Sequence, residues 1–292
     1  MPSDSRGMVG DTTVDAFVGG ALAIEQPARG YRAGLDAVLL AAAVDVARRP
    51  RRGPGGIAAA DVGAGVGTAG LCLAARLSDL DVTLIERDPV ACRLALANIA
   101  RNRLGARTRV VRADVFAPSA EAPAELVRPT FDIVLSNPPY LEAGHHRPSP
   151  DRLKRASHAM PAAGLDGWLR FIARITRPGG LAVVIHRADR LAELLAALSG
   201  RFGGAIAVPL HPRPDAPASR VIISAVKGSR APLCLAPGIV LHEADGSFRP
   251  DVKAALAGPV SLSTPLSAAV SPDNALEPAG SALAWAEHDE QR

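Results

Sequence analysis

From Ile57 onward, short apolar runs alternate with stretches of helical spacing. Ile57 to Val62 reads as a buried strand, and beyond a run of glycines Leu71, Leu73 and Leu77 predict a helix. Val82 to Glu86 is apolar and β-branched, and Asp88-Pro89 then supplies an N-cap with proline in the first helical turn. Arg109 to Arg112 and Phe131 to Ser136 predict two further strands. Leu165, Trp168, Ile172 and Ile175 share one face of a helix over 165–177, which Pro178-Gly179-Gly180 ends before a strand at Leu181 to Ile185. Asp189 is placed to cap a helix carrying Leu191, Leu194, Leu195 and Leu198, closed by Gly200. Ala205 to Leu210 and Val221 to Val226 predict two last strands joined by a Pro-rich loop. Such alternation builds an α/β fold, a mostly parallel seven-stranded sheet with helices on both faces.

Two flanks differ from this core of 56–258. Upstream, within 1–55, Leu35, Val38, Leu39, Ala42 and Val46 lie on one helical face, which is expected to pack at the sheet edge or over the functional site. After about residue 258 the chain turns to Pro, Ser and Ala without periodicity, and 259–292 is expected to be a disordered tail.

Composition narrows the classes. With 292 residues, 48% hydrophobic and 21% charged, the chain can bury one sizeable core and is neither disordered throughout nor collagen-like. The net charge of +4 permits a polyanionic partner without requiring one. Cys72, Cys92 and Cys234 are odd in number and far apart, which argues against a disulfide framework or a zinc ribbon and fits a reducing cytoplasm. The apolar run from Ala37 stops at Asp45, short of a membrane span, and Asp4, Asp11 and Asp15 make the start of the chain unlike a signal peptide. A soluble, cytoplasmic protein without membrane contact is the expectation.

The chemistry begins at Asp61-Val-Gly63-Ala-Gly65-Val-Gly67, which follows a strand and opens a helix. Free backbone N–H groups there border a surface without side chains, so a ligand can come close. Gly65-Val-Gly67-Thr-Ala-Gly70 also satisfies the dinucleotide fingerprint, but its register is off: Gly63 makes the tight turn and Gly70 falls inside the helix. Glu86, at the end of the second strand, is placed to accept both hydroxyls of a ribose, which fits an adenosyl ligand of either kind.

Ser136-Asn137-Pro138-Pro139-Tyr140 carries the strongest signal. Two prolines in succession cannot extend a sheet, so the strand stops and the Pro138 carbonyl is held unpaired. That carbonyl and the Asn137 amide oxygen form a pair of acceptors for the two N–H groups of an exocyclic amine, whose lone pair is then freed for attack. Tyr140 offers a flat face on which a base can stack.

In this register the glycine turn resembles motif I, and Asn137 to Tyr140 resembles motif IV, of the class I S-adenosylmethionine-dependent methyltransferases that act on amino nitrogens. The stretches Gln26 to Asp36, Leu141 to Gly144, Ala156 to His158 and Ile185 to Arg190 are similar to segments of the bacterial valine-tRNA adenine-N6 methyltransferase family. The likeness runs from about 14 to 258. It implies a Rossmann-like fold and S-adenosylmethionine as cofactor, held by Asp61, Gly63, Gly65, Gly67, Glu86, Asp114, Asn137 and Tyr31. It also implies that Asn137, Pro138 and Tyr140 carry catalysis on adenine N6 of a tRNA next to the anticodon. Arg152 and Lys154, close after the acceptor turn, are expected to meet the polyanion.

Other features carry less. His145-His146 lack further ligands for a metal site, so none is expected. Arg48, Arg49, Arg51 and Arg52 read equally as a solvated helix end or as phosphate contacts. The rival substrates are rRNA or DNA amino groups and a protein glutamine N5. A methyltransferase-like domain that binds RNA without turnover is the remoter reading, and a dehydrogenase is separated by titration with NAD and S-adenosylmethionine.

Overall fold

Residues 11–29, 32–44, 56–117, 119–139, 141–142, 159–160 and 164–258 are described by the computed structural model. The chain opens with a hairpin, β1 (Thr12–Phe17) and β2 (Leu22–Pro27), followed by α1 (Leu35–Ala42). Then come β3 (Ile57–Val62), α2 (Thr68–Arg76), β4 (Leu80–Glu86), α3 (Pro89–Arg101), β5 (Thr108–Arg112) and β6 (Phe131–Ser136). Two short strands, β7 (Leu141–Glu142) and β8 (Ala159–Met160), pair with each other. The second half is α4 (Gly164–Ile175), β9 (Thr176–Arg187), α5 (Leu191–Leu198), β10 (Phe202–His211), β11 (Arg220–Lys227), β12 (Cys234–Leu235), β13 (Ile239–Val240) and α6 (Pro250–Ala257).

The main sheet runs β12-β10-β11-β9-β6-β3-β4-β5, with β13 also on β10. Within it only β11 is antiparallel to its neighbours, as the alternation of strands and helices requires. The seven strands expected from sequence are all present, and the two-residue β12 and β13 raise the count to nine. β3 lies between β4 and β6, so the chain reverses its direction of travel across the sheet there. In open α/β sheets that crevice at the carboxyl ends is where ligands bind.

Strand residues divide between two cores. Ile57, Ala59, Ile133, Leu135, Val183 and Ile185 pack against α1, α2 and α3, while Ala60, Val62, Val134, Val184 and Ile223 pack against α4 and α5. Alternation on strands buried from both sides is what makes their sequences read as continuous apolar runs.

Several local expectations change. The hairpin β1–β2 adds to the expected elements, and of the two placements expected for α1 the sheet edge is not taken: α1 packs on α2 and on the face of the sheet, and its Ala37 borders the cavity at the strand ends. The fourth helix ends at Ile175, not 177, because Thr176 already pairs with Phe131 and its hydroxyl turns back to the Ile172 carbonyl at 2.6 Å. Asp189 does not cap α5: Arg187 binds both of its carboxylate oxygens, and the capping position falls to Arg190 without a side-chain bond. The expected tail at 259–292, and Arg48 to Arg52, lie outside the described residues.

The hairpin is docked by α3 in an unusual way. Asn98 accepts from the Glu25 N–H at 2.7 Å and donates to its carbonyl at 3.0 Å; one turn later Asn102 does the same with Ala23, at 2.9 Å both ways. Four helical residues rise about 6 Å and two strand residues about 6.6 Å, so two side-chain amides on the helix match alternate residues of the strand. Asn98 also donates to the Val66 carbonyl in the glycine turn at 3.1 Å.

Candidate active site

A cavity of about 650 Å³ opens at the carboxyl ends of β3, β4, β5 and β6. Asp61, Gly63, Gly65, Glu86, Asp114, Asn137 and Pro138 all line it, together with Phe116 and Trp168. The residues singled out on four separate strand ends therefore converge on one space. Tyr31, Tyr140, Arg152, Lys154 and His145-His146 lie outside the described residues.

The glycines of the turn differ in what they do. Gly65 has φ +58°, and a Cβ there would meet nothing within 4 Å; this is the glycine that leaves room in the cavity. At Gly63 (φ +74°) the missing Cβ leaves room for Trp168 instead, whose Cζ2 would lie 2.8 Å from it. Gly67 faces inward, where a Cβ would come within 2.7 Å of Leu84 Cδ1. Gly70 lets α2 sit tightly on the sheet, against Leu84 and Asp61.

Three carboxylates border the cavity. Glu86 accepts from the Gly65 N–H at 2.9 Å with one oxygen and from the Arg87 and Asp88 N–H groups at 2.8 Å with the other. Its plane is thus fixed by backbone, with acceptor capacity left for a ligand hydroxyl. Asp114 forms a turn by accepting from the Phe116 N–H at 3.0 Å and faces Arg87 at 3.5 Å. Asp61 is 2% exposed and accepts from the Gly70 N–H at 2.8 Å. Burial pushes its carboxyl up to about 7, opposed by that N–H and reinforced by the negative charge of Glu86.

Asn137 and Pro138 leave β6 after Ser136, a fully buried hydroxyl that sequence reading passed over. Ser136 Oγ donates to the Val62 carbonyl at 2.8 Å and accepts from Trp168 Nε1 at 2.9 Å. Trp168, one of two tryptophans in 292 residues, sits at a helical core spacing in the sequence, which gives no sign of this bond. On β9, burial pushes the His186 imidazole down to about 4, so it is neutral at physiological pH. Among the described residues there is no cluster of His, Cys, Asp and Glu that could hold a metal ion, and no helix is long and apolar enough to cross a membrane.

Comparison with known proteins follows the same geometry. Residues 46–162 match the family model Methyltransferase small domain. The chain is 32% identical to a predicted O-methyltransferase of Agrobacterium tumefaciens of known crystal structure, with a TM-score of 0.62 over 77% of this chain and 97% of that one. It is 30% identical over 171 residues to a tRNA1(Val) (adenine(37)-N6)-methyltransferase of Porphyromonas gingivalis, 59% of this chain and 64% of that protein. It is 31% identical over 117 residues to a release factor glutamine methyltransferase of Geobacter sulfurreducens, 40% of this chain and 37% of that protein. The match to the first curated relatives spans about half to two thirds of their length.

Proposed function

This chain belongs to the class I S-adenosylmethionine-dependent methyltransferases, and on that premise we propose that it methylates an exocyclic amino nitrogen, adenine N6 of a tRNA next to the anticodon. The supporting observation is the shared cavity lining: Asn137 and Pro138, the acceptors for an amine, border the same space as Gly65 and Glu86, the features suited to an adenosyl group.

The residues present fit that cofactor. Glu86, oriented by three backbone N–H groups, offers an acceptor for ribose hydroxyls, and Gly65 admits the ligand where a side chain would block it. Asp114 and Phe116 form the wall for adenine, and Tyr31 is assigned to the same cofactor by the family resemblance. When bound, S-adenosylmethionine supplies a methyl group on a sulfonium, electrophilic enough to need no strong base. The protein's task is position. Asn137 Oδ1 and the Pro138 carbonyl accept the two N–H bonds of the amine and turn its lone pair inward, and Tyr140 stacks on a base that in an anticodon loop is already single-stranded. Arg152 and Lys154 meet the phosphates.

An acceptor pair of this kind also suits a carboxamide nitrogen, and the match to a release factor glutamine methyltransferase keeps that second reading alive. Purified protein with methyl-labelled S-adenosylmethionine, offered bulk tRNA and release factor in parallel, separates the two. Label in N6-methyladenosine of tRNA is expected, and Asn137→Ala should lower turnover roughly 100-fold or more while cofactor affinity stays. Label in protein alone, or an unimpaired Asn137→Ala variant, overturns the proposal.

A further inference from the structure

We propose that Trp168 is a positioning residue: it fixes the glycine turn and the acceptor turn relative to each other, so that methyl group and amine meet in line. This inference rests on the methyltransferase reading of the site. Trp168 projects from α4 and meets the segments that follow β3 and β5 and the last residue of β6. Its six-membered ring fills the space where Gly63 would carry a Cβ, with Cζ2 and Cη2 at 2.8 and 3.0 Å from that position. It meets Phe116, beyond β5, in a T-shaped contact with centroids 5.8 Å apart at 62°. Its Nε1 donates to Ser136, the last residue before Asn137.

The hydrogen bonds have a direction. An indole N–H can only donate, so Ser136 Oγ must accept from it, and the hydroxyl proton is left for the Val62 carbonyl 2.8 Å away. Without the indole that hydroxyl keeps the Val62 carbonyl but loses its tie to α4. Val62 and Ser136 are register partners at the ends of adjacent parallel strands, and Gly63 and Asn137 come next in each chain. One oriented hydroxyl therefore ties together the two peptide groups from which the cofactor turn and the acceptor turn depart. Both turns and the ring line the same cavity, and Trp168 is only 7% exposed. Misplacement of reacting groups by about 1 Å can cost on the order of 100-fold in rate, which makes the link worth holding.

The test uses the full chain with Trp168→Phe, Ser136→Ala and the double variant. Ser136→Ala removes a single oxygen, which keeps the test readable should Trp168→Phe fold poorly. Single-turnover transfer to tRNA should slow tenfold or more in each single variant with tRNA KM unchanged, and the double variant should be no slower than the slower single, since both break one relay. Transfer at the parent rate in folded single variants, loss carried by KM alone, or multiplicative loss in the double variant overturns the proposal. A parent protein that methylates no tRNA refutes the substrate assignment instead. Trp168 is then judged on cofactor alone: in a Trp285→Phe background, S-adenosylhomocysteine should quench Trp168 emission, and Ser136→Ala should change the extent of quenching. An emission unaffected by the ligand overturns the positioning role whatever the substrate.

Discussion

Adding one methyl group at Gly63 and, separately, at Gly65 sets two left-handed positions against each other, one packed and one open. Both substitutions place a non-glycine residue at positive φ, +74° and +58°, which costs roughly 1–2 kcal/mol. At Gly65 the new carbon meets nothing within 4 Å, so that strain is the whole cost. At Gly63 it stands 2.8 Å from Trp168 Cζ2, well inside the 3.5–4.0 Å at which carbon atoms pack. The ring cannot retreat freely, held as it is by Ser136 and Phe116, and overpacking of this kind adds roughly 1–3 kcal/mol. Gly63→Ala should therefore lose about 2–5 kcal/mol and Gly65→Ala about 1–2, which at roughly 2–4 °C per kcal/mol separates their melting temperatures clearly. Calorimetric melting of the two variants, each with and without Trp168→Phe, completes the assay. Removing the outer ring should relieve Gly63→Ala by about 1–3 kcal/mol and leave the effect of Gly65→Ala unchanged. Equal losses at the two glycines, or strict additivity with Trp168→Phe, would falsify the assignment of Gly63 to packing. In the same proteins Gly65→Val should abolish binding of S-adenosylhomocysteine by calorimetric titration; unchanged affinity removes Gly65 from the site.

The Asp61 carboxyl, raised to about 7 from an ordinary 3.8, keeps a proton in the folded protein that the unfolded chain has already released. Stability from this group is present in full below about pH 4 and is lost as pH rises to about 7. Asp61→Asn should thus match the parent near pH 4 and gain on it up to about 4 kcal/mol near pH 8 in urea melts, and a difference independent of pH refutes this. Asn98→Ala strips partners from the Glu25 N–H and from two carbonyls, and should cost about 2–4 kcal/mol and lower the melting temperature; a change under half a degree shows the docking to be idle. Arg152→Glu with Lys154→Glu should weaken tRNA binding and lower the slope of log affinity against log salt by about 1–2, leaving S-adenosylhomocysteine affinity as it was. An unchanged slope puts the phosphate contacts elsewhere.

Strand β6 and the strand part of the glycine turn were legible to the residue, because strands covered on both faces are continuous apolar runs and their ends carry glycine or proline. The convergence of Glu86, Asp114 and Asn137 was legible too, since parallel strands deliver their carboxyl ends to one side. Sequence could not separate the uses of Gly63, Gly65 and Gly67, because what a missing Cβ makes room for depends on Trp168 and Leu84, far away in the chain. Asp189 looked like a cap because local spacing allowed it, but a bidentate arginine two residues back competes better than two backbone N–H groups. The hairpin has a trace in the sequence: Leu22 to Pro27 alternates buried and half-buried positions, with the polar Gln26 on its buried side, one residue beyond Gly19-Gly20. Gln26 hid that alternation by bonding with Ala33 and Asp15 from inside.

The docking of β2 on α3 has a consequence for the order of events during synthesis. Glu25 and Asn98 are 73 residues apart, and at about 5–20 residues per second the ribosome takes roughly 4–15 s to make the intervening chain. Throughout that interval the edge of the hairpin that will face α3 has no partner, and it presents open N–H and C=O groups to any neighbouring nascent chain. The helix that arrives later covers it with two amide side chains in place of a third strand. Translation slowed before residue 98 should then raise the insoluble fraction of the protein, and Asn98→Ala should make that sensitivity worse.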